Sequence, residues 1–255
     1  MKKKYYSILL TGGTGRLGQA IQKSRLFLNL LAPPKEKLDI TDINAVHKYF
    51  KAHAISAVIH CAALARIALC EADPIEAMDI NVTGTSNLVN AVYQKQKEFR
   101  QKIRFLYIST DGVYPGIKGK YKENDPAIPY NNYGWTKLAS ECLVHLLADH
   151  CIIRTNFFDL NDIKFDTSAT DIFTSKLPLE DLVKDIKFLL KSRFVGTINI
   201  GGKRLSDYHR YKRYKPQIRS CMRKEILKEI PFQIYSDASL DTTLWKKLKR
   251  DRSVG

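Results

Sequence analysis

The feature that most constrains this chain lies near its start. Tyr5 to Leu10 (YYSILL) is a short apolar run of the length a buried strand needs. It leads directly into Thr11-Gly12-Gly13-Thr14-Gly15-Arg16-Leu17-Gly18, and a helical pattern then continues to about Lys23. Glycines at 12, 15 and 18 in a strand–turn–helix setting let the backbone turn tightly and come close to a pyrophosphate, and the helix start favours its negative charge. Glycines alone are weak evidence; in this setting the signal is strong. The spacing is G-x-x-G-x-x-G, not G-x-G-x-x-G. The plainer alternative is a tight turn without a ligand.

The rest of the chain continues the alternation. Leu26 to Leu31 (LFLNLL), Ile55 to His60 (ISAVIH), Ile103 to Ile108 (IRFLYI), Cys151 to Arg154 and Thr197 to Ile200 read as strands. Between them, Ile43, Val46 and Phe50 share one helical face behind an N-cap at Thr41 or Asp42, and helical periodicity runs over Pro74–Phe99, Tyr133–Ala148 and Leu179–Leu190. Strands alternating with helices predict an α/β fold, a Rossmann-type doubly wound parallel sheet covered on both faces. After Ile200 the alternation stops. The expected division is a dinucleotide-binding core at 1–155, rejoined by 179–202. A smaller, mostly helical substrate-side layer takes 156–178 and 203–255.

Composition narrows the class. With 255 residues, 44% of them hydrophobic, the chain can bury a sizeable core, so disorder is excluded as the main reading. No run approaches 18 apolar residues, so no spanning helix is expected, and the basic start Met1-Lys2-Lys3-Lys4 makes a poor secretory signal. A cytoplasmic protein is the expectation. Cys61, Cys70, Cys142, Cys151 and Cys221 form no C-x-x-C pair, and the six histidines show no ligand spacing, which argues against disulfides and zinc. The net charge is +16, and Lys203 to Arg252 holds fifteen Lys/Arg against six Asp/Glu. Such a surplus suits an anionic partner. Without a nucleic-acid signature, a phosphorylated ligand is favoured over nucleic acid.

Tyr133-Gly134-Trp135-Thr136-Lys137 places a phenol and an ammonium one helical turn apart. The cation favours phenolate and is expected to draw the tyrosine toward a useful acid–base range. By itself this pair is commonplace. Ser109-Thr110-Asp111, however, follows a strand and so sits at the carboxyl edge of a parallel sheet, where such folds bind ligands. A hydroxyl there can hold a substrate carbonyl while the tyrosine gives up its proton.

In order, the Gly12/Gly15/Gly18 loop, Leu38-Asp39-Ile40-Thr41-Asp42, His60-Cys61-Ala62-Ala63, Asn81-Val82-x-Gly84-Thr85, Ser109-Thr110-Asp111-x-Val113-Tyr114, Tyr133-x-x-x-Lys137-x-x-x-Glu141 and Ile153-Arg154-Thr155 resemble the extended short-chain dehydrogenase/reductases. Within them the chain is most similar to the dTDP-4-dehydrorhamnose reductase branch. The likeness spans roughly the first 155 residues and returns over Leu179–Gly202. It implies an NAD(P)H-dependent reductase of a keto group on a nucleotide-linked deoxysugar. It also implies roles. Thr110, Tyr133 and Lys137 form the catalytic triad, with Tyr133 as proton donor, Lys137 on the nicotinamide ribose and Thr110 orienting the carbonyl. Gly12, Thr14, Gly15, Arg16, Leu17 and Gly18 line the pyrophosphate. Asp39 and Ile40 flank the adenine, and Cys61, Ala62 and Ala63 pass along the cofactor.

No acidic residue for the ribose 2′-hydroxyl is evident after the second strand, while Arg16, Lys35 and Lys37 are available for a 2′-phosphate. This favours NADP(H) over NAD(H). The expected partners are a nucleotide-diphosphate sugar and, in assembly, a second copy in a homodimer. The segment Asn156–Pro178 is shorter than the family's usual substrate-side insertion, and Arg204, Arg210, Lys212 and Arg213 are candidate phosphate ligands. Two alternatives stay open: an epimerase or dehydratase with tightly held NAD, and a non-catalytic dinucleotide-binding regulatory subunit.

Overall fold

The structure is a computed structural model that describes residues 7–100, 102–163 and 165–252. Tyr5 and Tyr6, expected to open the first strand, and the basic residues before them lie outside the described residues. The chain runs β1 (Ser7–Thr11), α1 (Arg16–Ser24), β2 (Leu30–Leu31), α2 (Ile43–Ala52), β3 (Ile55–His60), α3 (Ile67–Ala72) and α4 (Pro74–Met78). A π-helical turn (Asp79–Thr83) joins α4 to α5 (Gly84–Phe99), followed by β4 (Arg104–Ile108), a 3₁₀ turn (Asp111–Val113), α6 (Asn132–Val144) and β5 (His150–Thr155). Short ladder strands come next: β6 (Phe157–Phe158), β7 (Thr167–Ala169), β8 (Phe173–Thr174) and β9 (Leu177–Pro178). The order closes with α7 (Leu179–Lys191), β10 (Gly196–Ile200), β11 (Leu205–Ser206), α8 (Asp207–Tyr211), β12 (Arg219–Cys221), α9 (Arg223–Glu229) and α10 (Thr243–Arg252).

Six strands form one sheet in the order β10-β5-β4-β3-β1-β2, parallel throughout. The strand order reverses at β1, so the crevice between β1 and β3 at the carboxyl edge is the switch point where ligands enter such folds. Buried residues cover both faces. Leu17, Ile21, Leu182, Ile186 and Trp245 pack on one, and Val46, Phe50, Leu88, Val92 and Val144 on the other. This two-sided burial explains why β4 reads as a continuous run rather than an alternating one. The fold is therefore the doubly wound Rossmann-type sheet that the alternation predicts.

Differences from the sequence reading have local causes. Only Leu30 and Leu31 of the Leu26–Leu31 run pair with β1. Arg25 and Asn29 adopt left-handed φ values of 53° and 54°, which break the extended chain on each side of Phe27. Leu28 is left 78% exposed. Asp42, not Thr41, caps α2 by accepting from the N–H groups of Asn44 and Ala45. Thr41 is committed to Asp39 instead, and Ile43 lies outside the buried face. Helix α6 stops at Val144, short of Ala148.

The C-terminal residues pair with the 156–178 segment and share a small buried cluster with it, Phe158, Tyr211 and Ile218. β12 pairs with β7, β11 with β8, and Trp245 of α10 joins the cluster beneath α7. Among the described residues no helix is long and apolar enough to cross a membrane.

Leu106, fully buried in the middle of β4, probes this core. Leu106→Ala is expected to lower the stability of the folded chain by about 2–5 kcal/mol, read as a reduced urea midpoint with an unchanged slope.

Candidate active site

The glycine loop folds as a tight turn against the end of β3. Gly12 has φ +72°, and a Cβ there would meet the backbone N of Ala62 at 2.5 Å, so only glycine lets the loop lie against the end of β3. Gly15 precedes α1 in an extended conformation, its N–H donating to the Gly12 carbonyl at 3.0 Å. Helix α1 starts without a side-chain cap and without an acidic residue in its first turn. Its first N–H groups and positive end are thereby left to an anion.

Two cavities adjoin at Gly12, Gly15, Cys61 and Ala63. The smaller, of 260 Å³, is lined by Thr14, Lys35, Asp39, Ile40 and Ala62. The larger, of 480 Å³, is lined by Arg16, Leu17, Gly18, Thr110, Tyr133 and Lys137. All of the expected cofactor and catalytic residues thus border one elongated groove along the carboxyl edge of the sheet. The start of α1 lies at its middle, with a pocket on either side.

A buried network sets the catalytic end. Ser109, just past β4, donates to Glu141 of α6, and Glu141 pairs with Arg154 of β5 at 2.7 Å. Arg154 also donates to the Tyr114 hydroxyl at 2.8 Å. Asn131 caps α6 through the Gly134 N–H, and a Cβ at Gly134 would meet the Gly112 carbonyl at 2.4 Å. This close approach sets Tyr133 beside the Thr110–Gly112 turn. On the far side of α6, Asn81 in the π-helical turn bonds both Leu64 and Thr136. Helical irregularities of this kind are frequent at functional sites.

The proton chemistry departs from expectation in one respect. Lys137 does not lower the Tyr133 pKa. Its ammonium donates to the Ile108 carbonyl at 2.7 Å and lies 4.0 Å above the Tyr107 ring. Burial brings the Lys137 pKa down to about 7, against the pull of Glu141 and Cys61. Burial raises Tyr133, helped by the nearby Asp111 and opposed by a hydrogen bond with Thr110. The phenol is therefore protonated at neutral pH. Thr110 accepts from the Gly112 N–H and donates to Asp111, so it caps its turn as well as facing the cavity. His60, bridging Thr11 and Thr85 deep behind the site, is depressed to about 3 by burial and the Lys137 charge, and is neutral.

None of the candidate phosphate ligands in the basic tail lines the cavity. Arg204 pairs with Asp237 at 2.6 Å and stacks on Phe173. Arg210 is buried and donates to the carbonyls of Thr174 and Lys176. Lys212 and Arg213 are exposed, and none of the four lines the cavity. Bent backbone at 174–176 has carbonyls to satisfy, and the long guanidinium reaches them. The cation on the substrate side is Lys176, bonded to Asp207 at 2.8 Å. Tyr130 and Tyr235, with ring centroids 6.1 Å apart, complete that wall. No local pattern marks these residues, because they come from three separate segments.

Asp111 gives the site a pH signature. Burial pushes its carboxyl from the usual 3.8 up to about 6, against the Asn156 amide that donates to both its oxygens. Between these values the native state binds more protons than the unfolded chain, so stability falls as pH rises. Relative to Asp111→Asn, the unsubstituted protein is expected to lose stability as pH climbs from 3.8 to about 6. Paired denaturation curves across that window measure it, and parallel curves would refute it.

Comparison with known proteins places this geometry in a family. The chain is 35% identical over 144 residues to methionine adenosyltransferase 2 subunit beta of Pongo abelii, covering 52% of this chain and 41% of that protein. It is 34% identical over 152 residues to dTDP-4-dehydrorhamnose reductase of Streptomyces griseus, covering 58% and 48%. The match thus spans less than half the length of these curated relatives. Crystalline dTDP-4-dehydrorhamnose reductase from Bacillus anthracis, in complex with NADP, superposes with a TM-score of 0.82 at 21% identity, covering 95% of this chain and 91% of that one, a likeness of fold. The model of the RmlD substrate binding domain matches residues 6–161, more than half of the chain. The protein belongs to the RmlD substrate-binding-domain family, within the extended short-chain dehydrogenase/reductases.

Proposed function

We propose that the chain is an NAD(P)H-dependent reductase of a keto group on a nucleotide-linked deoxysugar, similar in activity to dTDP-4-dehydrorhamnose reductase. The observation that carries this reading is the convergence of Thr110, Tyr133 and Lys137 on the cavity that the glycine loop borders. A bound reduced nicotinamide supplies the hydride for the carbonyl carbon. Tyr133, kept protonated by burial, gives its proton to the carbonyl oxygen. Thr110 orients that oxygen. Lys137 holds the nicotinamide ribose, exchanging its bond to the Ile108 carbonyl for the sugar hydroxyls. Gly12, Thr14, Gly15, Arg16, Leu17 and Gly18 bind the pyrophosphate, Asp39 and Ile40 the adenine end, and Cys61, Ala62 and Ala63 the stretch between. The preference for NADP(H) rests on Lys35, which lines the adenosine pocket, and on Arg16; Lys37 borders neither cavity. Lys35 lies 3.7 Å from Asp39, so the carboxylate offsets part of its charge. We assign the protein to the cytoplasm and its assembly to a homodimer on the same reading.

A second reading has one specific observation behind it. The relative from Pongo abelii bears the name of a subunit, which supports a dinucleotide-binding partner of another enzyme. An intact tyrosine, lysine and threonine set favours the reductase, since binding alone needs no proton donor.

Titration with NADPH and NADH, followed by turnover on dTDP-linked keto-sugars, separates the two. The reductase reading expects binding of NADPH tighter than NADH. Tyr133→Phe is expected to cut turnover by about 10²–10⁴-fold with cofactor affinity nearly unchanged. Tight binding with no turnover on any nucleotide keto-sugar would favour the subunit reading, and absence of binding would refute both.

A further inference from the structure

Thr155 ends β5 with its side chain 3% exposed, in the wall of the larger cavity. Its hydroxyl has no hydrogen-bonding partner among the described residues. Four other buried side chains carry an unpaired atom, those of Tyr107, Asn131, His150 and Arg210, and none of them borders this cavity. The cavity's other polar groups near Thr155 are engaged with one another. Lys137 is on the Ile108 carbonyl, Thr110 on the Gly112 N–H and Asp111, and Asn156 on Asp111. A buried hydroxyl left unpaired costs stability, and valine has the same shape without that cost. An unmatched hydroxyl facing a cavity is therefore a binding group waiting for a ligand.

Its place in the sheet identifies the ligand. β5 lies three strands from β1 in the order β1-β3-β4-β5, about 14 Å at the usual interstrand spacing. That is the reach of one nucleotide from the glycine loop at the end of β1 toward Tyr133 and Lys137. The aromatic groups Phe157, Phe158, Tyr211 and Tyr235 line the same cavity from segments beyond the sheet edge, on the substrate side. Thr155 belongs to the strand edge itself, paired with Ile200 of β10 and two residues beyond Ile153, the partner of Ile108. A hydroxyl is at once donor and acceptor, and so is a carboxamide. We infer that the Thr155 hydroxyl binds the carboxamide of the nicotinamide ring, fixing which edge of the ring faces Tyr133. This rests on the dinucleotide reading above.

The test compares the unsubstituted protein, Thr155→Val and Thr155→Ser, with NADPH, NADH and ADP-ribose as probes. Thr155→Val is expected to melt, without ligand, at the same temperature or higher. It is expected to bind the preferred nicotinamide cofactor about three- to tenfold more weakly, the worth of one neutral hydrogen bond. ADP-ribose, which lacks the ring, binds both proteins alike, and Thr155→Ser keeps the original affinity. Equal cofactor affinity in Thr155→Val overturns the inference, whether the hydroxyl serves water or the substrate. So does an equal loss of ADP-ribose affinity, which marks a general distortion. If the unsubstituted protein binds neither nicotinamide cofactor, the reductase reading fails as well. If it binds and the valine variant binds equally, only this inference falls.

Discussion

The site is held together by one buried ion pair. Glu141 and Arg154 are almost fully enclosed, with side chains 2% and 8% exposed, and they join α6 to β5. Ser109 adds the end of β4 to the same carboxylate. These three elements carry Tyr133 and Lys137, Thr155, and Thr110, so a single carboxylate registers Tyr133 against the sheet edge. Removing one partner from such a pair leaves an unpaired buried charge, at a cost of about 3–5 kcal/mol. Arg154 spreads its remaining donors over Tyr114 and the Glu123 carbonyl, which satisfies the rest of the guanidinium. The pair is therefore an organising element more than a reserve of stability.

The depressed pKa of Lys137 follows from the same burial. An ammonium surrounded by Tyr107, Cys61 and the end of β4 loses hydration, and its pKa falls to about 7. The bond to the Ile108 carbonyl offsets part of that loss. Tyr133 needs no such help to remain protonated. Its burial keeps the phenol protonated and makes it a weaker acid than a free tyrosine.

What the chain discloses in advance depends on whether the deciding contact is local. The Ile55–His60 strand and the glycine turn are legible because each is settled within a few residues, while the cap of α2 stays open between Thr41 and Asp42 until Thr41 is committed to Asp39. Leu26–Leu31 misleads because apolar content says nothing of the left-handed kinks at Arg25 and Asn29 that interrupt it. The substrate wall is the hardest part. Tyr130, Lys176 and Tyr235 meet only after folding, and Arg210 looks like a phosphate ligand until the carbonyls of 174 and 176 claim it. A surplus of +16 thus says little about any one cation. Lys176, Arg204 and Arg210 spend their charge within the C-terminal layer.

The brevity of β2 has a consequence for how the protein keeps to itself. An outer strand normally presents a row of unpaired amides on which a neighbouring chain can extend the sheet. Here that margin is two residues long and is interrupted by a left-handed turn before it begins. At the opposite margin, α10 packs against β10 and seats Trp245 in the interior. The β2 rim is blunted against edge-to-edge aggregation by its curtailment.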